Sequence, residues 1–306
     1  NRSISVNETL FTQVIILLIG IHQGMSLTAN HIQKTVDRAL SEDISFGDIT
    51  TDILVPSTLE GKAVVVAKSE GILAGVKIAL AVFRRVDSQL HVKALLSDGT
   101  EIQVKEKLYR ENNVILEVEG KICSILKAER TALNFLQHMS GIATKTNTYV
   151  KAVEDYPTRI LDTRKTIPGL RLLEKYSVAV GGGHNHRNGL SDGILIKDNH
   201  IHALRSAGIQ LEKTIHLAKA NAPHTLKIEV EVENLKEVEE ALNSKADILL
   251  LDNMTHKEIS DAVFLAKGKA LTEASGGNSS SCSAFPQMLV HFSLLAQSWL
   301  VSVTSS

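Results

Sequence analysis

Apolar positions at Ile32, Val36 and Leu40 recur at helical spacing after Thr28, which predicts an amphipathic helix. The stretches 63–75 and 89–102 read instead as strands broken by glycine turns, with a helix over 76–86 between them. Residues 26 to about 122 therefore form a mixed α+β module. From Cys123 onward, Ile125, Ala128, Ala132, Leu136 and Met139 fall on one face of a long helix that connects two domains.

Beyond that helix the rhythm changes. Short β-branched runs, RILD, GILIKD, LKIEVEVE and DILLLDN, alternate with helical patterns. Asn234 with Glu237, and Thr255 with Glu258, have the spacing of helix-capping pairs. Strands alternating with such helices predict repeated βα units around a parallel sheet or barrel. The strands end in Asp162-Thr-Arg-Lys, Lys197-Asp198, Glu231 and Asp252-Asn253. Charged groups at the carboxyl ends of several parallel strands share one face of a barrel, whereas an open doubly wound sheet binds at a single switch point. The fold class expected is α/β with a barrel. GGGHNHR has the spacing of neither a dinucleotide-binding nor a P-loop motif.

Composition narrows the function classes. Hydrophobic residues make up 43% and charged residues 22% of 306, values of an ordinary globular protein. A net charge of −1 excludes a nucleic-acid binder working through a broad basic face. Cys123 and Cys282 are far apart and lack metal-type spacing, which predicts a reduced, cytoplasmic protein. The apolar run Leu10–Ile21 is too short to cross a membrane. Because the first methionine is Met25, residues 1–24 read as a leader outside the fold, translated upstream of the true start, rather than as an export signal.

The strand-end charges carry the chemistry. Taken singly, Arg164, Lys165, His186, Arg187 or Lys197 would be a solvated loop residue. All five at barrel strand ends predict a pocket for a compact polyanion, with Arg forming paired hydrogen bonds and Lys acting as a point charge. Glu231 and Asp252 could bind Mg²⁺ or the hydroxyls of a sugar. Glu229 shares Glu231's side of the strand and is expected to be a buried charge paired with a lysine one layer deeper. EASGG, residues 273–277, fits either a phosphate loop or a plain turn. Together these groups suit a phosphorylated sugar donor meeting an acidic acceptor.

The blocks ERTALNFLQHMSGIAT, DTRKTIPGLR, GGGHNHRNGLSDGILIKDNH, EVEVEN, LLLDNM and EASGG, in this order, resemble quinolinate phosphoribosyltransferase. The resemblance runs from Met25 to Gly277. It implies a sandwich-like N-terminal α+β domain, an incomplete TIM-like α/β barrel and a homodimer. The activity it implies converts quinolinate and phosphoribosyl pyrophosphate, with Mg²⁺, to nicotinate mononucleotide, pyrophosphate and CO₂ in de novo NAD synthesis. By motif, Arg130 would reach the partner subunit's site. Arg164, His186, Arg187 and Lys197 would hold the quinolinate carboxylates, the glycines of GGGHNHR letting the loop close on the dianion. Lys165 would serve the pyrophosphate side. Glu231 and Asp252 would meet the ribose and the metal, with Lys165 and Lys197 beside them at the reacting groups. Ser275, Gly276 and Gly277 would hold the 5′-phosphate.

After Gly277 the resemblance stops. The serine-rich tail contains the only tryptophan and, apart from His291, no acid or base, which suggests a shifted reading frame or else an alternative tail. A last barrel strand and a second phosphate loop are then expected to be missing. The chain divides into a leader (1–24), an N-terminal α+β domain with its connecting helix (25–135), an α/β barrel catalytic domain (136–277) and the aberrant tail (278–306). Three rival functions stay open: a barrel lyase with Lys197 or Lys165 as Schiff base, a non-catalytic relative that binds the substrates, and a phosphoribosyltransferase for another aromatic acid.

Overall fold

The computed structural model describes residues 26–103 and 113–276, together with the backbone of two later strands. The leader, Gly277 and most of the tail lie outside the described residues. In the first helix, α1 (Ala29–Ile44), Thr28 accepts the His31 N–H and the apolar face buries Val36 and Leu40. Asp48 caps the short α2 (Ile49–Leu54) in the same way. There follow β1 (Glu60–Ala67), β2 (Gly71–Ile72), α3 (Val76–Val86), β3 (His91–Ala94), β4 (Glu101–Ile102) and β5 (Val114–Lys121). β1, β5 and β3 pair antiparallel, while β2 and β4 form a separate ribbon.

The pattern reading passes over β5. Its exposed Glu117 and Glu119 flank buried Val118, the period-two alternation of a half-buried strand. It is followed directly by α4 (Ile122–Ala152), which buries Ile125, Ala128, Ala132, Leu136 and Met139 against α3 and the N-terminal sheet. The helix runs on to Tyr149 and Val150, which pack on the second core. One continuous helix thus serves both cores, and the boundary expected at 135 falls inside it.

The second half contains β6 (Arg159–Leu161), α5 (Arg171–Val180), β7 (Ile194–Ile196), α6 (Asp198–Ser206), α7 (Leu211–Asn221), β8 (Ile228–Val232), α8 (Leu235–Asn243), β9 (Ile248–Asp252), α9 (His256–Ala266) and β10 (Leu271–Ser275). The expected caps are present: Asn234 accepts the Glu237 N–H, and Thr255 and Glu258 form a reciprocal capping box. The last two strands are β11 (Leu289–His291) and β12 (Val301–Ser305).

β6, β11, β10, β9, β8 and β7 lie side by side in that order, and every pair is parallel. His184 adds a single bridge beyond β6. This is an α/β domain built as an incomplete barrel. One face of the strands, with Ile160, Ile196, Val230, Leu249, Leu251 and Ala274, packs under the helices. The alternate positions, Glu229, Glu231, Asp252, Glu273 and Ser275, therefore share the inner face.

The expectation of a missing last strand is corrected here. β11 stands between β10 and β6 and pairs with both, and β12 covers the outer edge of β1. Strand pairing uses backbone groups that every residue but proline supplies, so a segment of altered sequence can still occupy these positions. No described helix is long and apolar enough to cross a membrane.

Candidate active site

Register brings the first charged pair together. Ile196 of β7 pairs with Val230 of β8, so Lys197 falls opposite Glu231 on the inner face. Lys197 Nζ donates to Glu231 Oε2 at 2.7 Å. The lysine is half exposed and the glutamate buried. Its backbone N–H is held by His200 Nδ1 at 2.9 Å, which fixes the turn from β7 into α6. On the next strands Asp252 pairs with Ser275, the positions expected for ribose and 5′-phosphate. Asn253 follows at φ 51°, its side-chain amide donating to Asp252 Oδ2 at 2.8 Å and its N–H to Ser275 O at 3.0 Å.

Opposite these strands, the chain after β6 and the chain after α5 are bound to each other through Asp162. This buried carboxylate accepts from Lys175 Nζ, from Asn185 Nδ2 at 2.6 Å and from the His186 N–H at 2.8 Å. Lys175 is fully buried and also donates to His186 O at 3.0 Å. Burial pushes its ammonium below the ordinary lysine value, against the attraction of Asp162. Arg171 adds a second clamp, donating to Thr166 Oγ1 at 3.0 Å, Asn188 O at 3.1 Å and Arg164 O at 3.4 Å.

Within this frame Arg164 and Arg187 are neighbours. Burial, and then the charge of Arg164, lower the pKa of the Arg187 guanidinium. Arg187 donates to Gly193 O at 3.1 Å, and a Cβ at Gly193 would stand 3.2 Å from Arg187 Cβ. The buried Nε of Arg164 has no hydrogen-bond partner among the described residues. Two adjacent cations with an unused donor are suited to an incoming carboxylate. Lys165 is exposed beside them. Asp192 accepts the Asn188 and Gly189 N–H groups at 2.6 and 2.7 Å, closing the loop that carries Arg187.

His186 turns inward across the barrel. Its Nε2 is 2.9 Å from Glu229 Oε2 and 3.8 Å from Glu273 Oε2. Burial disfavours the charged ring, but the hydrogen bond and charge of Glu229, with the charge of Glu273, prevail and raise its pKa.

Two expectations are corrected. Glu229 pairs with His186, not with a deeper lysine, because Asp162 already takes the buried Lys175. Gly181 and Gly183 are not set in an open loop but face α4 and α5 of the protein itself. A Cβ at Gly181 would stand 2.4 Å from Ala143 O, and one at Gly183 would stand 2.7 Å from Val178 Cγ1 and 2.8 Å from Thr146 Cγ2. They let the end of α5 pack against α4.

Arg164, Lys165, His186, Arg187, Lys197, Glu231, Asp252 and Ser275 all lie at or just beyond the carboxyl ends of parallel strands. Gly276 follows Ser275 at φ 132°, while Gly277 lies outside the described residues. Arg130 is exposed on α4 and pairs with no described residue. The sequence reading missed Lys175, Arg171 and Glu273 as parts of the site. Lys175 had a signal, a charge inside the apolar run of α5, whereas Glu273 had only its place two residues before Ser275.

A parallel α/β domain with clustered cations and acids at its strand ends defines an enzyme that joins anionic substrates. The chain belongs to the quinolinate phosphoribosyl transferase family, matching its N-terminal domain over residues 48–140 and its C-terminal domain over 142–296. A similar protein is the "Probable nicotinate-nucleotide pyrophosphorylase [carboxylating]" of Synechocystis sp., 41% identical over 236 residues that cover 77% of this chain and 76% of the relative. Another, of the same name in Bacillus subtilis, is 40% identical and covers 81% and 82%. The solved nicotinate-nucleotide pyrophosphorylase of Francisella tularensis superposes with a TM-score of 0.84 at 37% identity, covering 92% of this chain and 98% of that one.

Proposed function

We infer that this chain transfers the phosphoribosyl group of phosphoribosyl pyrophosphate to quinolinate and releases pyrophosphate and CO₂, giving nicotinate mononucleotide for NAD synthesis. The observation that carries this is one strand-end face holding adjacent Arg164 and Arg187 on one side and Glu231 with Asp252 on the other. Arg164, His186, Arg187 and Lys197 bind the two quinolinate carboxylates. Lys165 meets the pyrophosphate, and Ser275, Gly276 and Gly277 the 5′-phosphate.

The ring nitrogen donates its lone pair to C1 of the ribose while the C1–O bond breaks toward pyrophosphate. Positive charge that builds on the ribose is stabilised by Glu231 and Asp252. The ring 2-carboxylate then leaves as CO₂, its electron pair staying on C2 beside the pyridinium nitrogen until a proton replaces it. No enzyme nucleophile takes part. Placing two charged reactants in line supplies much of the rate.

Glu231 and Asp252 offer hard oxygen donors on adjacent strands, a set that suits Mg²⁺ retaining water and phosphate ligands. When bound, magnesium offsets the charge of the pyrophosphate oxygens. The working unit is a homodimer, in which exposed, unpaired Arg130 completes the partner's site. Two cysteines far apart in the chain, with Cys123 a free thiol, support a cytoplasmic setting.

Chromatography of the products of purified protein with quinolinate, phosphoribosyl pyrophosphate and Mg²⁺ tests the activity. Nicotinate mononucleotide should form and should vanish in Arg187→Ala. Its absence from folded wild-type protein would favour the substrate-binding relative without turnover. Mixing Arg130→Ala with Arg187→Ala should restore part of the activity. No restoration after confirmed subunit exchange would remove Arg130 from the partner's site.

A further inference from the structure

Beneath the substrate-facing cations lie two buried carboxylates that the reaction does not use directly. Glu229 on β8 and Glu273 on β10 come from strands separated by β9, yet both aim a carboxylate oxygen at the same ring nitrogen of His186. Both side chains are more than nine-tenths buried, at 6% and 4% exposure, and the histidine keeps 12%. The three ligand-type atoms lie within 4.8 Å of one another. Two carboxylates facing one imidazole nitrogen require that nitrogen to donate.

The surrounding charges make the role of this group specific. Lys175, the other cation near the ring, opposes a positive histidine but is paired with Asp162. Asp162 also accepts the backbone N–H of His186, so the histidine is held by its main chain from one side and by its ring from the other. Without the two glutamates, burial and Lys175 remain, and both disfavour the charged ring.

We propose that Glu229 and Glu273 are positioning residues that hold His186 as an imidazolium turned toward the acidic substrate. The inference rests on the reading of His186 as a quinolinate ligand. It assigns to the two acids a task separate from that of Glu231 and Asp252, which meet the sugar. In this arrangement the acidic substrate meets four cations rather than three cations and a neutral ring, and its affinity acquires an alkaline limit set by His186.

The test uses the full-length protein in two arms. Without substrate, the His186 ring is titrated by nitrogen–proton correlation NMR in wild type, Glu229→Gln, Glu273→Gln and the double variant, with His186→Asn identifying the signal. The charged ring should persist above the ordinary histidine range in wild type, and each glutamine should move the midpoint down, Glu229→Gln the further. A midpoint in the ordinary range in wild type, or one unmoved by both substitutions, overturns the proposal whatever the activity. Should Glu229→Gln fail to fold, Glu273→Gln carries the same test.

With substrate, the variants should raise the quinolinate KM about tenfold at about pH 8 and much less at about pH 6, with kcat within about twofold. A loss of kcat equal at every pH, with KM unmoved, marks a merely structural role and overturns it. Failure of wild type to form nicotinate mononucleotide would sink the activity reading alone, since the titration is read without substrate.

Discussion

Lys197 Nζ lies 2.7 Å from Glu231 Oε2, so a cation read for the acidic substrate is neutralised by an acid read for the sugar. The pair follows from strand register and places the two half-sites in contact. Lys197 is 43% exposed and can turn to an incoming carboxylate, whereas Glu231, at 8%, stays in place. Lys197→Ala should raise the quinolinate KM by about tenfold to a hundredfold, the loss of one charge-assisted hydrogen bond of roughly 1.5–3 kcal/mol. Its melting temperature should fall modestly, because the buried Glu231 loses its partner. Steady-state kinetics with a thermal melt checks both, and an unchanged KM would remove Lys197 from the substrate.

The Asp162–Lys175 pair is the opposite case. Both groups are buried, and each holds a different backbone atom of His186. Lys175→Met leaves a buried carboxylate without its countercharge and should cost about 3–5 kcal/mol. The double variant Asp162→Leu/Lys175→Met should recover part of that in urea unfolding, while activity stays low because His186 has lost both backbone anchors. Additive losses would show that the two residues act independently.

A third expectation concerns pH. Asp98 accepts Tyr176 O–H at 2.7 Å and the Val76 N–H at 2.9 Å, yet burial outweighs both bonds and raises its pKa above the usual 3.8. The folded state therefore holds this proton more tightly than the unfolded state. Stability from Asp98 is fullest below the unfolded value and is lost as pH rises through the folded one. Asp98→Asn has no such step. The melting temperature of the variant minus that of wild type should grow from acid toward neutral pH. A difference that shrinks over that window would contradict the assignment.

Much of this site is legible in the sequence because strand-end charges, helix caps and period-two runs are local signals. Lys197 and Glu231 could be placed on one face from alternation alone. What escaped is non-local. Glu229 and Lys175 could each be read as buried charges, but their partners, His186 and Asp162, depend on how loops return across the barrel. β11 escaped because backbone pairing, not side-chain identity, places it. The glycines of GGGHNHR misled for a related reason: beside two histidines and an arginine they read as a ligand loop, although their neighbours are Ala143, Thr146 and Val178 on the adjoining helices.

Two glycines separate packing from binding most directly. A Cβ at Gly181 would stand 2.4 Å from the backbone oxygen of Ala143, and no flexible side-chain tip can give way there. Gly181→Ala should lose about 1–3 kcal/mol of stability, as overpacked cores do, while the folded fraction keeps its quinolinate KM. Gly276 stands at φ 132°, and its Cβ would meet Asn253 Oδ1 at 2.7 Å. Because Asn253 also holds Asp252 and Ser275, Gly276→Ala should disturb the sugar-phosphate side. Its KM for phosphoribosyl pyrophosphate should rise about tenfold or more, with the quinolinate KM nearly constant, as expected where a displaced backbone weakens one ligand alone. Denaturant unfolding and paired kinetics on both variants decide the matter. A raised quinolinate KM in folded Gly181→Ala would return those glycines to the substrate loop, and an unchanged phosphoribosyl pyrophosphate KM in Gly276→Ala would take the β10 turn out of the phosphate site.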